Sequence, residues 1–323
     1  MTLTPEQSQW FASTFGQMVG NVEQAVVGKT RQVQLALTCL LAEGHLLLED
    51  YPGTGKTSLA RAMAQTVHGK QNRIQFTPDL LPGDVTGVTI FDQKSQRFEF
   101  HQGPIFANIV LADEINRASP KTQSALLEVM EEGQVTVDGT TYPVGRPFMV
   151  VATMNPIEQA GTYRLPEAQL DRFLMKTSLG YPDHASTMRI LTGVGTKASA
   201  KGLSAIITTD AVASMIDMAA LVHIDEAVVD YVSRLVEQTR EAPEVQLGCS
   251  VRAGLALVRA SKAWAAASGR NYVLPDDIKS LAVSIFAHRM VLDPEEEFRG
   301  ATTEKIVQRI LDTEVAPQER AAV

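Results

Sequence analysis

The run Tyr51-Pro52-Gly53-Thr54-Gly55-Lys56-Thr57-Ser58 lies directly between an apolar stretch, His45–Glu49, and a helical stretch beginning at Lys56. That spacing does phosphate chemistry. Glycines let main-chain N–H groups close in on an anion, and the following helix N-terminus adds positive potential. Lys56 is placed for the β- and γ-phosphates and Thr57 for Mg²⁺. Pro52, Gly53, Thr54, Gly55 and Ser58 complete the nucleotide-binding candidates. Such a run arises by chance in roughly one chain in a thousand or fewer. One position departs from the full pattern: Asp50 stands where glycine is usual. A carboxylate there repels a triphosphate unless its side chain points away. Further on, Ile109-Val110-Leu111-Ala112-Asp113-Glu114 is an apolar run ending in two carboxylates. Asp113 suits the Mg²⁺ shell, and Glu114 is placed to polarise an attacking water.

These residues need elements to hold them. Short apolar runs read as buried parallel strands at His45–Glu49, Arg73–Phe76, Ile109–Asp113, Phe148–Thr153 and Leu174–Ser178. Helical stretches lie between several of them. Lys56–Val67 puts Leu59, Ala60, Met63, Ala64 and Val67 on one face. Ser119-Pro120 opens another helix, closed by Gly133. Strands alternating with helices predict a doubly wound α/β core. Two segments break the alternation as β-hairpins. In one, Val88 and Ile90 alternate with polar residues, a polar turn runs from Asp92 to Gln96, and Phe98 and Phe100 alternate again. In the other, Val135 and Val137 precede Asp138-Gly139, which places Tyr142 across from Val135. After Tyr181-Pro182 the pattern turns helical, with no strand expected from 183 to 315. Ser250 is expected to cap one helix that Gly269 stops, and Pro275 to start another. Val315–Val323 carries little pattern.

Composition narrows the function classes. The 323 residues carry 29 Lys and Arg against 37 Asp and Glu, a formal charge of −8. So acidic a chain has no bulk attraction for nucleic acid or an anionic membrane, although a local basic groove is compatible with it. Two cysteines, Cys39 and Cys249, are too few for a disulfide scaffold and fit a reducing compartment. With no secretory signal or membrane segment legible, the expected location is cytoplasmic. The six histidines show no metal-ligand spacing. Glu128, Glu131 and Glu132 crowd a helix C-terminus, where acids are unfavourable; a solvated face is the plain reading and a subunit contact the alternative.

The phosphate loop, Asp113-Glu114-Ile115-Asn116-Arg117-Ala118 and Leu165-Pro166-Glu167-Ala168-Gln169-Leu170-Asp171-Arg172-Phe173 together resemble the MoxR family of AAA+ ATPases. The resemblance runs from Val26-Val27-Gly28, whose Val27 and Gly28 join the nucleotide-binding set, to the helix starting at Pro275. It implies an α/β fold: an AAA+ phosphate-loop αβα core over residues 1–182, with a parallel sheet and two β-hairpin inserts, then a small all-helical lid domain over 183–323. The inserts are a helix-2 insert, about Leu80–Gly103, and a pre-sensor-1 hairpin, about Gln134–Val144. It further implies that Asn155 is sensor 1, Arg172 an arginine finger reaching a neighbouring subunit, and Arg252 sensor 2. Residues alone read Arg172 as an ion pair with Asp171, and Asn155-Pro156 as a turn.

The resulting expectation is an enzyme, a Mg²⁺-dependent ATPase working as a ring, a hexamer in this resemblance. Its implied partners are client proteins, which it remodels, activates or loads with cofactor, and a von Willebrand factor A-domain protein. Hairpin inserts also occur in nucleic-acid remodellers, a reading the net charge opposes. A monomeric small-molecule kinase leaves Arg172, Arg252 and the helical domain unexplained, and the intact Lys56 and Glu114 argue against a nucleotide-binding scaffold that no longer hydrolyses ATP.

Overall fold

The computed structural model describes residues 3–156, 163–193 and 202–317. Of the trailing segment, 318–323 lies outside the described residues. Two helices the sequence reading left unassigned come first, α1 (Pro5–Glu23) and α2 (Thr30–Leu41). A capping box opens α1: Gln7 N–H donates to the Thr4 hydroxyl, and Thr4 N–H donates to the Gln7 side chain. Then come β1 (Leu46–Glu49), α3 (Lys56–Thr66), β2 (Gln71–Gln75), α4 (Pro82–Thr86), β3 (Gly87–Asp92), β4 (Arg97–Gln102) and β5 (Ile109–Asp113). They are followed by α5 (Pro120–Glu132), β6 (Gln134–Val137), β7 (Thr140–Pro143), β8 (Met149–Met154), α6 (Glu167–Leu170) and β9 (Met175–Thr177).

The five long-range strands form one parallel sheet in the order β2-β5-β8-β1-β9. Alternation along each strand divides its side chains between two cores. Leu46, Leu48, Ile109, Leu111 and Val151 enter a core shared with α1, α2 and α3. Leu47, Val110, Ala112 and Val150 enter the other, with α5 and the hairpins. Both faces are covered, which is why these strands read as continuous apolar runs.

Both hairpins are present. β3 pairs with β4 and β6 with β7, with Val135 opposite Tyr142 as expected. Asp138 and Gly139 both take positive φ, 50° and 78°, the conformation this two-residue turn demands. The hairpins also meet, with Phe100 stacked on Tyr142 at 4.3 Å between ring centres.

Among the described residues there follow α7 (His184–Leu191), α8 (Thr209–Ala220), α9 (Glu226–Glu241), β10 (Val245–Leu247), α10 (Val251–Ala267), α11 (Pro275–Phe286), a 3₁₀ turn Ala287–Arg289, β11 (Val291–Leu292), α12 (Pro294–Phe298) and α13 (Thr303–Thr313). One correction applies to the expectation of no strand here: β10 and β11 form a short antiparallel ribbon. Each is too short to show alternation. The lid does not hang free of the core. Ala253, Leu257, Ala260, Leu281 and Ile285 belong to the same buried cluster as Leu46 and Leu48, and α1 packs against both α3 and α10.

Candidate active site

At the carboxyl edge of the sheet, β1 leads through the loop 50–55 into α3. Gly53 and Gly55 take φ of +83° and +100°, where a side chain is strained, and the space beside each is open. The Lys56 ammonium lies back over the loop, donating to the carbonyls of Asp50 (2.9 Å) and Tyr51 (3.1 Å). The Thr54 hydroxyl donates to Tyr51 O at 3.2 Å and closes the turn.

Asp50 points away from the loop's open side. Its carboxylate is buried and accepts from Gly180 N–H (3.0 Å), the Ser178 hydroxyl (3.0 Å) and Leu179 N–H (2.5 Å). It ties the phosphate loop to the segment following β9, so the repulsion considered for this acid does not arise from its side chain. Val27 is buried and Gly28 abuts α7: a Cβ on Gly28 would lie 2.1 Å from the Ser186 hydroxyl oxygen. The Tyr51 and Tyr181 rings stack at 5.9 Å beside the loop, and the Lys29 ammonium donates to Tyr181 O at 2.8 Å.

The carboxyl ends of β5 and β8 bring up the other groups. Asp113 Oδ1 accepts from the Thr153 hydroxyl at 2.6 Å, and Oδ2 accepts from Arg73 at 2.7 Å. Glu114 follows in a left-handed conformation, φ +57°, uncommon for a residue with a side chain and a hint that the local geometry serves the site. Its N–H donates to Thr153 Oγ1 at 2.9 Å, and its Oε2 accepts from Gln75 (2.9 Å) and Arg117 (2.8 Å). Asn155 is buried just past β8. Lys56, Thr57, Asp113, Glu114 and Asn155 therefore share the carboxyl edge, where open parallel sheets bind ligands. The loop's open glycines, the hydroxyl in the first turn of α3 and the carboxylate at the end of β5 fit a triphosphate with its divalent ion.

Arg172 and Arg252 lie elsewhere. Arg172 precedes β9, and so stands at the sheet's amino edge, the far side from the phosphate loop. From His45 to Asp50 the chain covers about 16 Å at a strand rise of roughly 3.3 Å per residue. Arg172 pairs with Glu131 at 3.1 Å, not with Asp171, and Arg252 pairs with the other oxygen of Glu131 at 3.0 Å. Glu131 is thus not a bare solvated group; within this chain it is the counter-ion shared by the two arginines. Ser250 starts α10 but its hydroxyl does not cap it, donating to Asp171 Oδ2 at 3.2 Å instead. An open cavity of about 570 Å³ lies here between core and lid, lined in part by Arg172, Arg252, Arg259, Lys262 and Arg289.

Sequence reasoning missed Gln75, Arg73, Arg117, Thr153 and Arg289. Gln75 and Arg73 sit on β2, two positions apart on one face; only the pairing of β2 with β5 brings them to Asp113 and Glu114.

A phosphate loop on a parallel sheet, an Asp-Glu pair two strands away and a helical lid define an AAA+ ATPase. The family model described as "ATPase family associated with various cellular activities (AAA)" matches residues 45–175, and that described as "AAA lid domain" matches 237–310. The crystal structure of a proposed ATPase from Cytophaga hutchinsonii superposes with a TM-score of 0.89 at 40% identity, covering 96% of each chain. Protein YeaC of Bacillus subtilis is 48% identical over 95% of this chain and 96% of its own length. Chaperone MoxR1 of Mycobacterium tuberculosis is 40% identical over 95% of this chain and 84% of its own. The chain belongs to the MoxR family of AAA+ ATPases.

Proposed function

We propose that this ATPase works as a ring, hexameric by the family resemblance, in which each subunit's Arg172 and Arg252 serve the nucleotide bound to its neighbour. The observation carrying this reading is the opposite placement of the two half-sites: the phosphate loop on the carboxyl edge of the sheet, the arginines on the amino edge. One chain cannot close both around one nucleotide, whereas a head-to-tail arrangement of copies can, and such heterologous contacts close into rings.

Within each site, Lys56 and the loop amides bind the phosphates and Glu114 takes up the proton of the attacking water. Asn155 orients that water, and the neighbour's Arg172 neutralises charge developing on the γ-phosphate, an effect worth about 10³–10⁵ in rate in related systems. Thr57 and Asp113 are the residues to hold Mg²⁺, which when bound offsets charge on the β- and γ-phosphate oxygens. The working unit is a core of residues 1–182 and a lid of 183–323.

The energy is spent on client proteins in the cytoplasm, as chaperone-like remodelling or activation that extends to cofactor insertion, with a von Willebrand factor A-domain protein as partner. The β3–β4 hairpin supports a protein-facing role: Ile90, Phe91 and Phe98 are exposed at 48%, 49% and 74%, an apolar tip left open by the described residues.

Mixing two inactive variants tests the shared site. Glu114→Gln chains keep Arg172 but cannot activate water; Arg172→Ala chains keep Glu114 but lack the finger. Their mixture recovers turnover in proportion to the interfaces that join an intact Glu114 to an intact Arg172. Mixed rings, verified by native mass, that stay inactive refute the shared site.

A further inference from the structure

We infer that Arg289, a buried residue of the lid, is a positioning residue for Arg172: the lid grips the backbone on both sides of Arg172 and so fixes where that side chain is presented. This rests on the reading that Arg172 acts on a neighbouring subunit's nucleotide.

A guanidinium carries five N–H donors in a rigid fork, and every one of those of Arg289 is used. Nε donates to Asp171 Oδ1 at 2.7 Å. Nη2 donates to the carbonyls of Phe173 (2.6 Å) and Asp171 (3.2 Å), and Nη1 to that of Leu174 (3.2 Å). The remaining Nη1 bond, to Ile285 O, returns to the end of α11. Four of the bonds therefore fall on the four-residue segment containing Arg172. The preceding residue in the lid adds a fifth hold, His288 Nε2 donating to Phe173 O at 3.1 Å. From α10, the Ser250 hydroxyl takes the other carboxylate oxygen of Asp171. On the far side the segment is fixed to the sheet, Leu174 N–H donating to His45 O at 2.8 Å. Arg172 thus sits on a short link strung between β9 and the lid.

Stability alone does not ask for an arginine here. The side chain is 2% exposed, and withdrawing a guanidinium from water is a cost that an apolar residue of similar volume avoids. What an apolar residue cannot do is fix the carbonyls of Asp171, Phe173 and Leu174 and a carboxylate in one orientation. Burial also holds His288 neutral, its pKa pushed well below the usual histidine range, which fits a ring that donates to a carbonyl through Nε2. Any movement of the lid must therefore carry the 171–174 segment with it or break these bonds. The consequence is asymmetric: loosening the grip in one subunit impairs hydrolysis in the neighbour that its finger serves, leaving its own phosphate loop intact.

The mixed-ring assay reads this asymmetry directly. Arg289→Lys, which keeps the charge but loses the fork, is placed either on the Glu114→Gln chain that donates the finger or on the Arg172→Ala chain that donates the site. On the finger donor, recovered kcat is expected to fall about ten- to a hundredfold, the scale set by a misplaced catalytic group, with KM for ATP unchanged. On the site donor, recovery stays within about twofold, since nothing it supplies depends on the fork. Should the lysine variant fail to fold or assemble, Asp171→Asn in the same two positions carries the test, because it removes the charged acceptor and leaves the three carbonyls. Equal losses in both placements, or none in either, overturn the inference. A parent mixture without recovery overturns the shared site itself, and is seen before Arg289 is touched.

Discussion

Replacing Asp50 separates a structural acid from an electrostatic one. Were it a charge facing the triphosphate, Asp50→Ala would raise ATP affinity and leave the fold alone. The geometry demands the reverse. Oδ1 accepts from the Ser178 hydroxyl and Gly180 N–H, and Oδ2 from Leu179 N–H, in a residue only 2% exposed. Alanine leaves two main-chain amides facing a void, and each buried donor without an acceptor costs about 1–3 kcal/mol. The serine hydroxyl can turn elsewhere, so the expected loss is about 2–6 kcal/mol of folding stability. Asp50→Asn keeps one oxygen but turns an NH₂ group toward one of the amides, so about half that loss is expected. Urea unfolding gives the stability, and displacement of a fluorescent nucleotide gives the affinity. ATP binding should weaken or hold, because the carbonyl that receives Lys56 is that of Asp50 itself. An Asp50→Ala protein as stable as the parent within about 0.5 kcal/mol, or one binding ATP about tenfold more tightly, would refute the assignment.

Acid should weaken the fold before carboxylates begin to protonate. Burial pushes the pKa of His45 down to about 4, and the neutral ring donates to Met130 O through Nε2 while Nδ1 accepts from Val150 N–H. Because its folded value lies below the ordinary one of about 6.5, this contribution is complete above pH 6.5 and is lost as pH falls toward 4, at up to about 1.4 kcal/mol per pH unit. His288 acts in the same direction. Urea midpoints should therefore drop between pH 7 and 5, less so in His45→Gln; a level profile contradicts the burial argument. Gly44→Ala probes the sheet's amino edge, since a Cβ there would lie 2.3 Å from Leu174 Cδ2 and 2.4 Å from its Cβ. Overpacking of this kind costs about 1–3 kcal/mol, and a melting temperature equal to the parent's rules it out.

Legibility followed the range over which each feature is encoded. The phosphate loop, the Asp113-Glu114 pair and the Asp138-Gly139 turn depend on neighbours in sequence, and local residue types sufficed to place them. The β10–β11 ribbon was invisible because two and three residues cannot display a period, and their pairing is made across the whole of α10 and α11. Ser250 shows how a local rule yields to a distant partner: it stands at a helix start, the position that favours serine, yet gives its hydroxyl to Asp171. The residues alone pair Arg172 with the wrong acid for the same reason. Its sequence neighbour Asp171 is already taken by Arg289, more than a hundred residues away, and Glu131 at the end of α5 is brought to it by the fold.

Net charge illustrates what composition cannot locate. A chain at −8 has no general attraction for polyanions, yet its cations are not spread evenly. Arg172, Arg252, Arg259 and Lys262 gather around one cavity at the amino edge, where Glu131 is shared between the first two. An exposed carboxylate divided between two guanidiniums is a weak counter-ion. A phosphate group, with more charge and more acceptor oxygens, can displace it at little cost. In the proposed ring, the same pairing that quiets these arginines in the isolated chain would leave them ready for the anion of a second subunit. Acidic composition and the phosphate-binding edge proposed here are therefore compatible, the first acting over the whole surface and the second only within the reach of a docked neighbour.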